Sequence, residues 1–347
     1  MRDMTQLGQA TVLDSMLGGN PPDRTGEPDA VRKAMEQGLR DWADRLQRDD
    51  GWLGDALMRW RLLAAAGRTD VVLGRLVEGH VDALCILAEA GRTPPSGQTY
   101  GVWASASGRT GLTATATEDG WVLDGRARFC SGAHLLDRAL VIARTADGSL
   151  LLIDVDLDDE GPQPVPDTWQ AVGMDASDSG DVQCSDVRVS ATDLVGPPGW
   201  YLDRRGFPLG GIGVAAVWWG AGRGLYDSAV AGLSAFTPDE HQLAHLGALG
   251  TAFACTAALF AETAAIVPDL DVHGLGQRAL LCRNAVDALV GDVCTRVPRI
   301  TGPVPASHDA AVAHRLADLP VYMRQHHAER DLAELGRQLL GTSDESR

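Results

Sequence analysis

The chain has 347 residues, with 47 acidic against 30 basic side chains and a net charge of −17. That length exceeds one ordinary core and predicts two or three lobes, each burying its own apolar interior. The excess of negative charge disfavours nucleic acid and anionic membrane surfaces, which it would repel, and leaves a small molecule or another protein as the partner.

The opening MRDMTQLGQATVLDSMLGG lacks the continuous apolar core of a signal peptide. From 28 to 92, AVRKAMEQGLRDWADRLQR and VVLGRLVEGHVDALCILAEAG repeat apolar residues every three or four positions and predict helices that stop at Gly91. GRTPPSGQ, residues 91–98, then breaks the helical pattern and marks a boundary. Between 99 and 200 the period falls to two. LTATATEDGWVLDG predicts a hairpin turning at Asp119-Gly120 through a type I′ turn, and further strands are expected in RALVIART, SLLLIDVDL and DVQCSDVRVS. After 205 helices return in GGIGVAAVWWGAGRGLYDSAVAGL, LGALGTAFACTAALFAETAAIV and LLCRNAVDALVGDVCTRV, with glycines placed for close helix packing. The tail adds more helix, with an interruption expected near Pro320. The predicted organisation is α+β: an N-terminal helical domain (1–98), a middle antiparallel, β-barrel-like domain (99–204) and a C-terminal helical bundle (205–347). No run of about 18 apolar residues stands out, and the six cysteines (Cys85, Cys130, Cys184, Cys255, Cys282, Cys294) form no C-x-x-C pair, so a soluble, cytoplasmic protein is expected.

The residues that could carry chemistry are few. VYMRQHHAER, 321–330, sets His326 beside His327 with Gln325 before and Glu329 behind, either groups in a cavity or the wet face of a terminal helix. His241 and His245 have the i, i+4 spacing of a metal pair but no third ligand, which favours exposed helix histidines. His80 is expected to be a satisfied core histidine. Asp154, Asp156, Asp158 and Asp159 are expected to form a wet strand end. There is no G-x-S-x-G or Walker sequence to support a hydrolase or a nucleotide triphosphatase, GAGRG lacks the strand and spacing of a Rossmann fingerprint, and with no third ligand beside His241 and His245 no metal site is expected.

Helices, a β domain and a helical bundle in that order, with DGWVLDGRARFCSGAHLLDRALVIART and WQAVGMDASDSGDVQCSDVRVSATDLVG across 100–200, resemble the acyl-CoA dehydrogenase family. The resemblance implies FAD between the β domain and the bundle, a carboxylate base and an acyl thioester oxidised at its alpha and beta carbons. It places the first flavin-contacting segment at Tyr100–Ser105, where Trp103 stands in for a threonine and Ser105 or Ser107 could replace its hydroxyl. The second falls on Phe129-Cys130-Ser131, where strand alternation would put Phe129 and Ser131 on one side, ready for stacking and hydrogen bonding. Two parts of the family pattern are missing. Leu233 stands where an arginine would reach a flavin pyrophosphate, and setting Asp318 against the family's Arg-Asp pair brings Gln325 within a residue of the catalytic glutamate and Glu329 onto the second acid, leaving Gln325, His326, His327 and Glu329 as candidate catalytic groups. The resemblance implies a homodimer or homotetramer acting on a small molecule presented as an acyl-CoA or on an acyl carrier. Two other readings remain open: a flavin monooxygenase of the same fold, or a non-catalytic partner in a heteromer.

Overall fold

The computed structural model describes residues 19–105, 111–158, 161–234 and 236–341. Three helices come first: α1 (Pro28–Arg48), α2 (Ala56–Thr69) and α3 (Val71–Glu89). Proline at the start of α1 costs no hydrogen bond, because the first N–H groups of a helix have no partner inside it. Its buried stripe, Met35, Leu39, Trp42, Ala43 and Leu46, follows the helical period. Gly91 ends α3 at φ 69°, a left-handed conformation that lets the Arg92 N–H donate back to the Leu87 carbonyl at 2.8 Å.

Among the described residues seven strands follow: β1 (Tyr100–Trp103), β2 (Leu112–Ala116), β3 (Gly120–Cys130), β4 (Arg138–Arg144), β5 (Leu150–Asp156), β6 (Gln163–Val165) and β7 (Gly180–Ser190). They form one sheet in the order β1-β4-β2-β3-β7-β6, with β5 on the other edge of β4. The expected antiparallel domain is therefore mixed, since β4 pairs parallel with β1 and with β2. The cause lies in one carboxylate. Asp137 accepts from the Thr99 N–H at 2.7 Å and hydroxyl at 2.8 Å, and so draws the starts of β1 and β4 level, with Tyr100 opposite Arg138. The β2–β3 hairpin forms in the expected register, but neither Asp119 nor Gly120 has positive φ, so the turn is not type I′. Glycine is needed at 120 for a different reason: a Cβ there would lie 2.1 Å from the Val189 carbonyl of β7.

The remaining helices are α4 (Trp200–Asp203), α5 (Gly206–Leu233), α6 (Glu240–Ile266), α7 (Val272–Thr301), α8 (Pro303–His308), α9 (Ala310–Tyr322) and α10 (Glu329–Leu339). The chain packs as two compact units that cut across the three expected blocks. One comprises Pro22–Asp49 and Leu76–Phe207, and holds α1, most of α3, the sheet and α4. Its core includes Ala83, Ile86 and Leu87 of α3 against Tyr100, Leu140 and Leu152 of the sheet.

The other unit gathers Asp50–Arg75 with the described part of Pro208–Arg347. Its centre is α5, buried without interruption from Ile212 to Leu225, as a helix apolar on all sides must be. The expected glycine contacts are found: a Cβ on Gly220 would lie 1.9 Å from the Ala64 carbonyl of α2, and one on Gly67 would lie 2.3 Å from the Val217 carbonyl of α5. In α6, Leu249, Phe253, Thr256, Ala257, Phe260 and Thr263 form the buried stripe, and the Trp219 indole N–H donates to the Thr256 hydroxyl at 2.9 Å. The stretch Glu240–Asp269 is long and apolar enough to cross a membrane by length and composition alone, with 28% of its apolar window buried. Its small residues and Glu262 hide it from a search for strictly apolar runs. Pro320 does not interrupt α9, which continues to Tyr322; the helical path breaks instead at His326–Ala328.

Candidate functional site

In the sheet-bearing unit, the segment 129–134 stands out by its backbone. The pairing of β3 with β7 shifts register between Ala127 and Cys130, and within that bulge Phe129 adopts φ 60°. A bulky residue held in the left-handed region costs about 1–3 kcal/mol, a strain that concentrates at functional sites. The bulge also breaks the expected alternation. Phe129 is half exposed, whereas Cys130 is fully buried and offers no side-chain surface to a cofactor. Trp103 is buried, and its indole N–H donates to the Ser131 carbonyl at 3.1 Å, so its one polar group is spent on supporting Ser131. Ser105 is exposed just beyond β1, and Ser107 lies outside the described residues.

Ser131 is half buried and belongs to a chain of hydroxyls that the sequence pattern did not single out. Its Oγ lies 2.9 Å from Ser179 Oγ, which lies 2.7 Å from Ser177 Oγ. The same turn is fastened by the Gly132 N–H to the Ser177 carbonyl (2.9 Å) and the Ala133 N–H to the Asp178 carbonyl (3.1 Å). His134 pairs with Asp178 through both its backbone N–H and its ring Nδ1, the latter at 2.9 Å. Serine and aspartate within SDSG read as ordinary loop polarity, so only the fold reveals the cluster. An exposed aromatic face beside a hydroxyl fits one edge of a planar heteroaromatic ring. Leu233, buried and apolar, gives nothing to a pyrophosphate.

In the helical unit the paired histidines separate, though not because a helix turns them apart. After a 3-10 turn, Met323–Gln325, His326 is extended (ψ 133°) and Ala328 takes φ 44° before α10 begins. His326 is thereby buried and His327 exposed. The Ala328 N–H donates to His326 Nδ1 at 3.2 Å, which puts the imidazole proton on Nε2, from which it is given to Asn284 Oδ1 at 2.9 Å. Burial holds the His326 pKa below its ordinary value, Asp287 and Asp331, each 3.6 Å from a ring nitrogen, oppose that, and Arg283 reinforces it. Asn284 Nδ2 remains a buried donor with no partner among the described residues. Gln325 and Glu329 have exposed side chains, and the Gln325 carbonyl accepts from Arg283 at 2.9 Å while that guanidinium lies 4.9 Å from the Trp218 ring centroid. Asn284, Asp287 and Asp331 come from α7 and α10 and had no spacing by which sequence could group them with His326.

The His245 ring bonds Arg296 at 3.1 Å, and among the described residues no three metal-ligating side chains come together. Asp154 is not wet: it is buried and accepts from Arg138 at 2.9 Å and from the Tyr100 hydroxyl at 3.4 Å. His80 is a core residue as expected but only half satisfied, since Nδ1 accepts from the Tyr100 N–H at 3.1 Å while Nε2 has no partner among the described residues.

No family model matches the chain. The dibenzothiophene monooxygenase of Rhodococcus qingshengii is 31% identical over 132 residues, 34% of this chain and 31% of that protein. The chain thus matches about a third of the length of its curated relatives. Over nearly the whole chain the fold is that of TdsC from Paenibacillus sp. A11-2, solved with FMN and indole, at a TM-score of 0.76 and 22% identity over 93% of this chain and 91% of that one. Butyryl-CoA dehydrogenase of Megasphaera elsdenii superposes with a TM-score of 0.73 and 17% identity over 92% and 91%.

Proposed function

We propose that this chain, which has the acyl-CoA dehydrogenase fold, is a flavin-dependent monooxygenase using reduced FMN and dioxygen to oxygenate a small apolar molecule. Bound reduced flavin supplies two electrons to dioxygen, so that one oxygen atom enters the substrate and the other leaves as water. The chain supplies the rest. Phe129 and Ser131 bind an edge of the ring, and neutral His326, giving its Nε2 proton to Asn284 Oδ1, fixes the amide so that Asn284 Nδ2 is the group left to donate. The observation carrying this reading is the His326–Asn284 pair, in which a buried amide donor waits for an acceptor beside an uncharged imidazole, while an exposed amide, Gln325, replaces the acid that thioester oxidation requires. FMN suits the chain better than FAD because Leu233 offers no charge to a second phosphate, and TdsC was solved with FMN. The sulfur and nitrogen heteroaromatics named for dibenzothiophene monooxygenase and for TdsC are the substrate class to try first. We place the protein in the cytoplasm, where cysteine thiols stay reduced, and assign the uncovered face of α6 to contact between copies of the chain.

The test is turnover of dibenzothiophene or indole with chemically reduced FMN under labelled dioxygen. Incorporation of label is expected, retained by His327→Ala and reduced at least tenfold by His326→Gln at unchanged flavin affinity. Reduction of a dye by an acyl-CoA without label in the product would instead establish the dehydrogenase, and failure to bind any flavin would leave the partner-subunit reading.

A further inference from the structure

Hydroxyl groups carry one proton each, and that fixes the direction of the serine chain. Ser177 Oγ lies 2.6 Å from the Met174 carbonyl, which can only accept, so the Ser177 proton is committed there. The contact between Ser177 and Ser179 must then be donated by Ser179, and the contact between Ser179 and Ser131 by Ser131. Ser131 ends the relay with lone pairs to offer and no proton. We propose that Ser177 and Ser179 are positioning residues that make Ser131 an obligate hydrogen-bond acceptor, and that this polarity selects reduced over oxidised flavin.

Flavin chemistry makes the consequence specific. The oxidised isoalloxazine ring presents unprotonated nitrogens that can only accept, and reduction adds a proton to the ring, turning an acceptor into a donor. An acceptor-only hydroxyl facing such a nitrogen bonds the reduced ring and leaves the oxidised one opposed to a lone pair. The arrangement is built rather than incidental. Ser177 is fully buried, and three non-glycine residues flanking the relay, Phe129, Met174 and Asp178, are held at positive φ (60°, 60° and 49°). The Ser131 carbonyl is further tied by the Trp103 indole, and the turn after it by Ser177 and Asp178, so the backbone that carries the hydroxyl is held in place and turning its proton away breaks the bond to Ser179.

This inference rests on the reading that a flavin meets Ser131, and its experiment separates the two. Dissociation constants for oxidised FMN, and for reduced FMN without oxygen, are measured on the whole chain and on Ser179→Ala, Ser177→Ala and Ser179→Thr. Wild type is expected to prefer the reduced form. Ser179→Ala frees the Ser131 proton and Ser177→Ala lets Ser179 turn its own proton to Ser131, so both should tighten oxidised FMN and narrow the preference on the order of five-fold, one hydrogen bond's worth. Ser179→Thr, which keeps the hydroxyl, should retain the wild-type ratio. A ratio unchanged in both alanine variants, or an equal loss of both redox forms, overturns the serine inference and leaves the flavin reading standing. A wild-type chain that binds neither form overturns both.

Discussion

Burial acts on the two internal imidazoles in the same direction, but only His80 does so in a setting independent of the candidate chemistry. Desolvation drops its pKa from 6.5 to about 4, partly opposed by Asp137. The unfolded chain therefore binds a proton that the folded chain refuses, and stability rises with pH between those two values. The contribution is complete above about pH 6.5 and is lost as pH falls toward 4. Between pH 7.5 and 5 it amounts to roughly 2 kcal/mol. Urea unfolding at those two pH values is expected to show that loss in the wild type and a much smaller one in His80→Gln; parallel losses in both proteins would assign the acid sensitivity elsewhere. The sequence does show His80 in an apolar helical pattern, and so its burial, but it cannot show that only one ring nitrogen finds a partner. The histidine pair is legible in a similar, partial way. Adjacent positions on any regular element point apart, so one buried and one exposed follows; which one, and the identity of Asn284 as its partner, depends on the break at Ala328, an alanine at φ 44° that no residue type announces.

Close packing of helices in the other unit rests on glycines whose missing side chains are filled by backbone. At Gly220 a methyl group would meet the Ala64 carbonyl of α2, which cannot rotate away as a side chain could. Gly232, on the same helix, would meet nothing within 4 Å. Gly220→Ala is thus expected to lower stability by about 1–3 kcal/mol or more through forced separation of α2 and α5, while Gly232→Ala should raise it by up to about 1 kcal/mol through helix propensity. Thermal melts of the pair decide it: equal behaviour would mean that α5 is not seated on α2 as described. Helices and strands were readable because each has a local period, and β2, β3, β4, β5 and β7 all fall where alternation puts them. Parallel pairing of β1 with β4 was not, since 38 positions separate Thr99 from the Asp137 that aligns them and no local pattern records such a clamp. The bulge at Phe129 escapes for the same reason: period two continues through FCS as letters, and the extra residue is visible only against β7.

For the molecule as a whole, a charge of −17 makes every encounter between copies repulsive unless the meeting surface is itself uncharged. The outer side of α6 is such a surface. Ala244, Gly247, Ala248, Thr251, Ala254, Cys255 and Ala258 are exposed at spacings of one, three or four, opposite the stripe that α6 buries in its own unit. Small residues there allow helix backbones to approach closely, whereas exposure to water of so long an apolar face is uncommon in a monomer. A second copy is the occupant whose chemistry matches, because a symmetric contact needs only one self-complementary patch. Light scattering at micromolar concentration is expected to give a dimer or tetramer. Ala254→Glu, which puts a charge in the middle of the stripe, should shift it to monomer at low salt without changing the helix content. Added salt should partly restore assembly in the variant and tighten it in the wild type, because screening weakens the repulsion of the remaining charge. A wild-type monomer at all concentrations, or an Ala254→Glu chain that assembles as well as the parent, would remove α6 from the interface.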